Sequence, residues 1–245
     1  MENKELTVQG GGSMVVAQNI TDIIKTNLGG QLNVGDLDRI KIPSGGGSNW
    51  EVQTLDGEES VKAIEGVIIY FQYQNAYWAQ SIDETGGGDP PNCFAKDSLY
   101  GIGDPGGDCL TCPFNKFGSD RNGGKGKECK NMAVLFVLQK GMVLPVVLML
   151  PPTSVKVIRK YMTNLSAAGL SYYNVMSSFE LDKTKNEKGT PYSVVKPKSV
   201  DINPGGATPA ERKRLPADVI ASIEKYREAI IPALDRVVVE QTATE

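Results

Sequence analysis

The chain has 245 residues, with 26 Lys and Arg against 29 Asp and Glu, a formal net charge of −3 and no histidine. A hydrophobic content of 40% can fill a core and excludes a disordered chain. The longest apolar run, residues 142–152, falls short of the roughly 20 residues a membrane helix needs. The missing histidine removes the commonest catalytic acid–base and metal ligand, so the composition favours a scaffold over a catalyst. The N-terminus lacks the basic-then-apolar pattern of an export signal, which makes a reducing cytoplasm the expected setting. The charge is segregated. Residues 113–198 carry 14 basic against 5 acidic side chains, residues 1–112 carry 6 against 16, and residues 199–245 carry 6 against 8. A basic middle between acidic flanks suits a polyanionic partner, the alternative being ordinary solvated faces.

Taken in chain order, residues 1–13 read as a loose tail. Met14–Leu28 carries apolar residues at helical spacing (Val16, Ile20, Ile23, Ile24) and stops at Gly29-Gly30. Leu37–Ile42 and Trp50–Leu55 read as short strands around a flexible Ser44–Ser48. Ile64–Trp78, β-branched and aromatic, is the strongest strand signal. A Gly-, Asp- and Pro-rich region, 82–131, follows it. Then come strands over Ala133–Gln139 and Val143–Leu150, with Lys140-Gly141 as a tight turn. Thr153–Ala168 fits a helix whose apolar face is Val157, Ile158, Met162 and Leu165. The preceding Pro151–Ser154 supplies an N-cap, and Gly169 closes the helix. Tyr172–Leu181 and Pro191–Pro197 read as strands around the polar turn 182–189. Gly205–Pro209 reads as a linker. Leu215–Val239 is a helix with the apolar face Val219, Ile223, Tyr226 and Ile230, which Pro232 should kink or interrupt.

The order strand, long insertion, strand, strand, helix, strand, strand is that of the five-stranded OB barrel. The expected fold is therefore mainly β (α+β): an OB-like barrel with a long zinc-binding insertion and flanking helices. Its parts are an N-terminal tail and helix, 1–35, an OB-like nucleic-acid-binding domain, 36–204, with the insertion at 82–131, and a linker with a C-terminal helix, 205–245.

All four cysteines fall in the insertion: Cys93, the C-x2-C pair Cys109 and Cys112, and Cys129. Four thiolates make a complete tetrahedral donor set for structural Zn2+, and a C-x2-C pair supplies two of them from one turn. The alternatives are four unrelated thiols or a redox pair, and the latter lacks the βαβ surroundings it would need. The same window carries Phe114, expected to pack the zinc knuckle, together with Lys116, Phe117, Arg121, Lys125, Lys127 and Lys130. Lys125 is followed by Gly126, so the glycine-rich run is not a P-loop. It reads as a zinc-pinned basic loop suited to phosphates.

Three segments carry a resemblance: CLTCPFNKFGS from Cys109, GKGKEC from Gly124, and LPPTSVK from Leu150. Through them residues 60–198 look like the single-stranded DNA-binding proteins of tailed phages. The resemblance implies a barrel that coats exposed single strands in DNA replication or recombination, in the host cell cytoplasm, with replication or recombination proteins as further partners. Such proteins usually end in a strongly acidic tail. Here residues 237–245 hold only Glu240 and Glu245, and the replacement candidate is the apolar face of Leu215–Val239, which either docks on the barrel or forms a protein interface.

An OB barrel lays the strand along a basic groove and stacks bases on aromatics. Strict alternation along Val67–Tyr77 puts Val67, Ile69, Phe71 and Tyr73 on one face and Ile68, Tyr70, Gln72 and Gln74 on the other. The second, more polar set suits a groove, which makes Tyr70, with Tyr77 and Trp78, the stacking candidates. Burial in the barrel core is the alternative for each. Candidate phosphate contacts are Lys156, Arg159 and Lys160 on the helix and Lys183, Lys185, Lys188, Lys196 and Lys198 around the last hairpin. The leading expectation is a non-catalytic single-stranded DNA-binding protein. The alternatives are a zinc-stabilised protein–protein interaction factor of a phage or mobile element, and a Mg2+-dependent nuclease using Asp83, Glu84, Asp89, Asp97, Asp104 and Asp108.

Overall fold

A computed structural model describes residues 7–8, 12–13, 20–30, 32, 34–80, 90–186 and 189–234. The fold is mixed α+β, mostly sheet with few helices. Two-residue strands β1 (Thr7–Val8) and β2 (Gly12–Ser13) pair ahead of α1 (Ile20–Leu28). Residues 14–19 of the expected first helix lie outside the described residues. After β3 (Arg39–Lys41) comes a hairpin of β4 (Trp50–Thr54) and β5 (Gly57–Val61). It turns at Leu55-Asp56, so Leu55, expected to end the strand, lies in the turn.

The centre of the molecule is β6 (Ala63–Tyr77), paired along its length with β10 (Lys130–Gln139). Their close approach requires Gly66, since a Cβ there would stand 2.5 Å from the Leu138 carbonyl oxygen. The other edge of β6 is divided. Its first residues pair with β12 (Ser177–Lys185), and its last pair with β7 (Cys93–Ala95). From β7 the sheet continues into β8 (Tyr100–Gly103) and β9 (Gly107–Asp108). On the far side, β10 pairs with β11 (Val146–Leu150) and β11 runs parallel to β3. β13 (Pro191–Ser199) pairs with β12 alone, so the nine-stranded sheet does not close into a barrel.

The expected turn at Lys140-Gly141 forms, with Gly141 at φ +78 and Met142 N–H on the Gln139 carbonyl. The expected middle helix forms as α2 (Pro152–Ala167) and ends at Gly169. Its N-cap is Pro151, without a side-chain bond; the buried Ser154 hydroxyl accepts the Val195 N–H instead, tying α2 to β13. Residues 172–174 form a 3-10 turn, so β12 starts later than the sequence suggests. The expected linker gives way to α3 (Pro209–Lys213), opened by a Thr208/Glu211 capping box. The last helix, α4 (Ala217–Leu234), runs on through Pro232, and residues 235–245 lie outside the described residues.

Apolar cores lie on both faces of the sheet. On the first face Ala133, Leu135 and Val137 of β10 meet Ile64, Ile68, Ile158, Phe179 and Val195. Trp50, fully buried here, donates its indole N–H to the Phe179 carbonyl at 2.9 Å. On the second face Val134, Phe136 and Leu138 meet Val67, Ile69 and the α4 residues Val219, Ile223, Tyr226 and Ile230, the apolar face expected of that helix. A β-bulge shifts the β6–β10 register. Phe136 lies opposite Tyr70 while Val137 lies opposite Ile68, leaving Ile69 as the extra residue. This overturns the strict alternation: Ile68 joins Phe71 and Tyr73 at the first core, and Tyr70 joins Val67 and Ile69 at the second.

Candidate metal centre and nucleic-acid interface

The four cysteines are placed by local structure at one end of the sheet. Cys93 opens β7 opposite Tyr77, Cys109 follows β9, Cys112 precedes the 3-10 turn Pro113–Asn115, and Cys129 precedes β10. The turn is held by Asn115, which donates its side-chain N–H to the Cys109 carbonyl at 2.7 Å, and by the Cys129 N–H on the Phe114 carbonyl at 2.9 Å. Gly101 leaves room for the Cys93 sulfur, which a Cβ there would meet at 2.6 Å. All four side chains are free thiols and line one cavity of ≈ 10 Å³ with Asn75 and Tyr77.

Burial first, and then the neighbouring Cys109, Cys112 and Cys93 thiols, push the Cys129 thiol up to about 12. Cys109 is raised by burial too, against the pull of a hydrogen bond from Asn75. Four thiolates crowded together repel one another, so their joint ionisation needs a cation among them. Among the described residues no three His, Cys, Asp or Glu side chains stand as a ready metal cage. The thiols thus converge on a cavity of ion size, and their chemistry fits zinc, without forming a finished tetrahedral set.

The floor of this lobe is polar in a way the sequence reading did not single out. Asn131 on β10 donates to the side-chain oxygen of Asn75, its cross-strand partner on β6, and also to that of Asn115 at 3.2 Å. The signal available was a pair of asparagines interrupting apolar strands. Tyr77 stacks on Phe114 with ring centroids 4.4 Å apart, so both aromatics pack the lobe. Trp78 is half-buried against the second core, and Tyr70 lies on Phe136 in the same core, its hydroxyl accepting from Gln72.

Arg121 is committed internally. Its side chain donates to Glu128 at 2.6 Å and to the Trp78 and Ala79 carbonyls at 2.6 and 2.7 Å, stapling the loop to the end of β6. Burial works against the Glu128 charge, but the Arg121 bonds prevail and hold its carboxyl below the usual range. Lys127 donates to Asn115 at 3.0 Å and stands 5.0 Å from the centre of the exposed Phe117 ring. Lys116 and Lys125 are exposed in the same lobe, and Lys130 donates to the Lys127 carbonyl.

Lys156, Arg159 and Lys160 share an exposed side of α2, a helix with no acidic residue. Among the described residues none of the three meets a carboxylate. Lys183 and Lys185 are exposed on β12, with Lys183 lying across Gly46. Lys196 pairs with Asp182 at 3.4 Å, Lys198 pairs with Glu180, and Lys188 lies outside the described residues. Asp83, Glu84 and Asp89 lie outside them as well. Asp97 accepts the Leu99 and Tyr100 N–H groups and Asp108 accepts that of Leu110, so these carboxylates cap turns.

A second group escaped the sequence reading because the bulge governs it. Tyr73, Phe71, Tyr172 and Tyr173, all half-buried, form a row with successive ring centroids 5.4, 5.1 and 5.4 Å apart. The Arg159 guanidinium lies 5.1 Å from the Tyr73 ring at one end. At the other, Arg227 on α4 sits 4.0 Å from the Tyr173 ring and donates to the Tyr172 hydroxyl and the Ile69 carbonyl, both at 2.7 Å. Among the described residues no helix is long and apolar enough to cross a membrane. Comparison of the chain with family models, curated proteins and solved structures finds no match.

Proposed function

We propose that the chain is a non-catalytic single-stranded DNA-binding protein of the kind that coats exposed strands in replication or recombination. The observation that carries this reading is the basic side of α2, where Lys156, Arg159 and Lys160 stand beside the sheet with no carboxylate in their helix. Cations that meet no carboxylate among the described residues are what a phosphate backbone would neutralise. The strand pattern supports the reading: β6, β10, β11, β12 and β13, with α2 between the third and fourth, fit a partly open OB barrel. On that mapping the cysteine lobe is the loop between the first two strands, and the β12–β13 turn near Lys183 and Lys185 is the loop between the last two. Both loops carry oligonucleotides in OB folds. The resemblance of residues 60–198 to tailed-phage single-stranded DNA-binding proteins points the same way.

Zinc would be held by Cys93, Cys109, Cys112 and Cys129 and would supply a closed structural clamp, not a reaction centre. The residues of the lobe then hold the loop in one shape, Asn115 and Arg121 fixing its two halves. Fluorescence anisotropy with a labelled oligodeoxythymidine tests the reading. Binding at low salt should weaken with rising salt, with a log–log slope of about −0.7 per phosphate neutralised. No binding at low salt, or binding indifferent to salt, removes it.

A second reading, a zinc-stabilised protein-interaction factor, is favoured by one observation. Leu99, Tyr100, Ile102 and Leu110 are all exposed on the lobe, with Tyr100 and Ile102 on one face of β8.

A further inference from the structure

On the first face of β6, the bulge and the 3-10 turn before β12 bring Tyr73, Phe71 and Tyr172 into one row, with Tyr173 beyond. The three contacts along it are edge-to-face, with interplanar angles of 74°, 89° and 86°. This interlock fixes the rings before any ligand arrives, so little side-chain freedom remains to be lost on binding. Each ring is half-open at the rim of the core.

The charges around the row have one sign. Arg159 bears on the Tyr73 hydroxyl and Arg227 on that of Tyr172, and among the described residues no carboxylate bears on either. The two arginines differ in role. Arg227 spends its donors on the Ile69 carbonyl and the Tyr172 hydroxyl, which makes it a positioning residue for the far end of the row. Arg159 is exposed, stacks over Tyr73 and stands beside Lys156 and Lys160, so its guanidinium can meet a phosphate.

Resting on the reading of the chain as a single-strand binder, we infer that Tyr73, Phe71 and Tyr172 form the base-stacking platform, with the phosphate backbone led along Lys156, Arg159 and Lys160 of α2. This moves the stacking surface off Tyr70, Tyr77 and Trp78, which pack against other parts of the protein. The helix α4 covers the opposite face of the same strands and reaches the row through Arg227. Aromatic rings stack on any base, so the platform would bind single strands with little sequence preference.

The test uses the full chain and an oligodeoxythymidine carrying 5-iodouracil. Irradiation of the wild-type complex should cross-link the peptides containing Phe71–Tyr73 and Tyr172–Tyr173. In anisotropy, Tyr73→Leu should weaken binding about ten-fold, and Arg159→Ala should flatten the salt dependence by about 0.7 in slope. Cross-links confined to Tyr100 or Phe117, or wild-type affinity in a folded Tyr73→Leu protein, overturn the platform while single-strand binding stands. A wild-type chain that binds no oligonucleotide at low salt overturns the functional reading itself, before any variant is made. Cross-linking needs no variant, so misfolding of Tyr73→Leu would not shield the inference.

Discussion

The β6–β10 sheet and the cysteine lobe beside it are built on opposite principles. The sheet buries large side chains on both faces, with Trp50, Phe136 and Phe179 closed from solvent on one or the other. The lobe exposes its large apolar residues, Leu110 at 86% and Phe117 at 82%, and buries small or polar ones such as Ala95, Cys109, Glu128 and Cys129. Its shape comes from directional bonds: the Asx turns of Asp97 and Asp108, the Asn115 and Asn131 links, and the Arg121 staple. Non-directional burial and directional bonding within one chain should fail under different insults, and that difference is measurable.

The largest effect is expected in the sheet. Phe136→Ala empties a fully buried site in the second core and should cost about 3–5 kcal/mol in urea unfolding. A loss below about 1 kcal/mol would mean that α4 and the sheet can collapse around the gap. Next, Cys112→Ser or a strong chelator should release the lobe alone, if zinc is its clamp. Amide exchange should rise across 93–129 while Ala133–Val137 stays protected. Unfolding of the whole chain would erase the division between the two regions, and unchanged exchange in the lobe would remove the metal from it. Smallest is Arg121→Ala, which leaves Glu128 charged and partly buried without its cation. A local cost of about 2 kcal/mol is expected, read as faster exchange at 121–128. A global drop of the same size would show that the staple supports the sheet as well.

How much of this was legible in the sequence divides along the same line. Ile64–Trp78 announced itself because a strand buried on both faces is apolar and β-branched throughout, and the α4 face was legible because Val219, Ile223, Tyr226 and Ile230 keep helical spacing. The bulge was not legible. Ile68-Ile69-Tyr70 looks like any stretch of strand, and only the register of β10 decides which of the three is extra. That one residue reversed the sides taken by Tyr70 and by Phe71 with Tyr73, and so hid the aromatic row. Strands β7 to β9 were hidden for another reason. They are two to four residues long, too short to show a strand pattern of their own, and they form because the end of β6 offers an edge and the cysteine turns bring them to it. The four cysteines were legible as a set, but their meeting around one cavity depends on Asn75 and Tyr77, residues of a distant strand. The helix α3 was missed: its signal, Thr208-x-x-Glu211, was masked by the glycines before it.

The division of one β6 edge between β12 and β7 carries a consequence for the chain's solubility. Asn75 and Ala76 pair with β10 on one side, and on the other, among the described residues, Asn75–Tyr77 pair with β7 alone. A chain shortened by removing the lobe would present that stretch as an open strand edge, next to aromatic side chains and without a charged residue in it. Open edges of this kind recruit strands from neighbouring molecules. The lobe, by pairing β7 with the end of β6, covers an edge that would otherwise be open to such pairing.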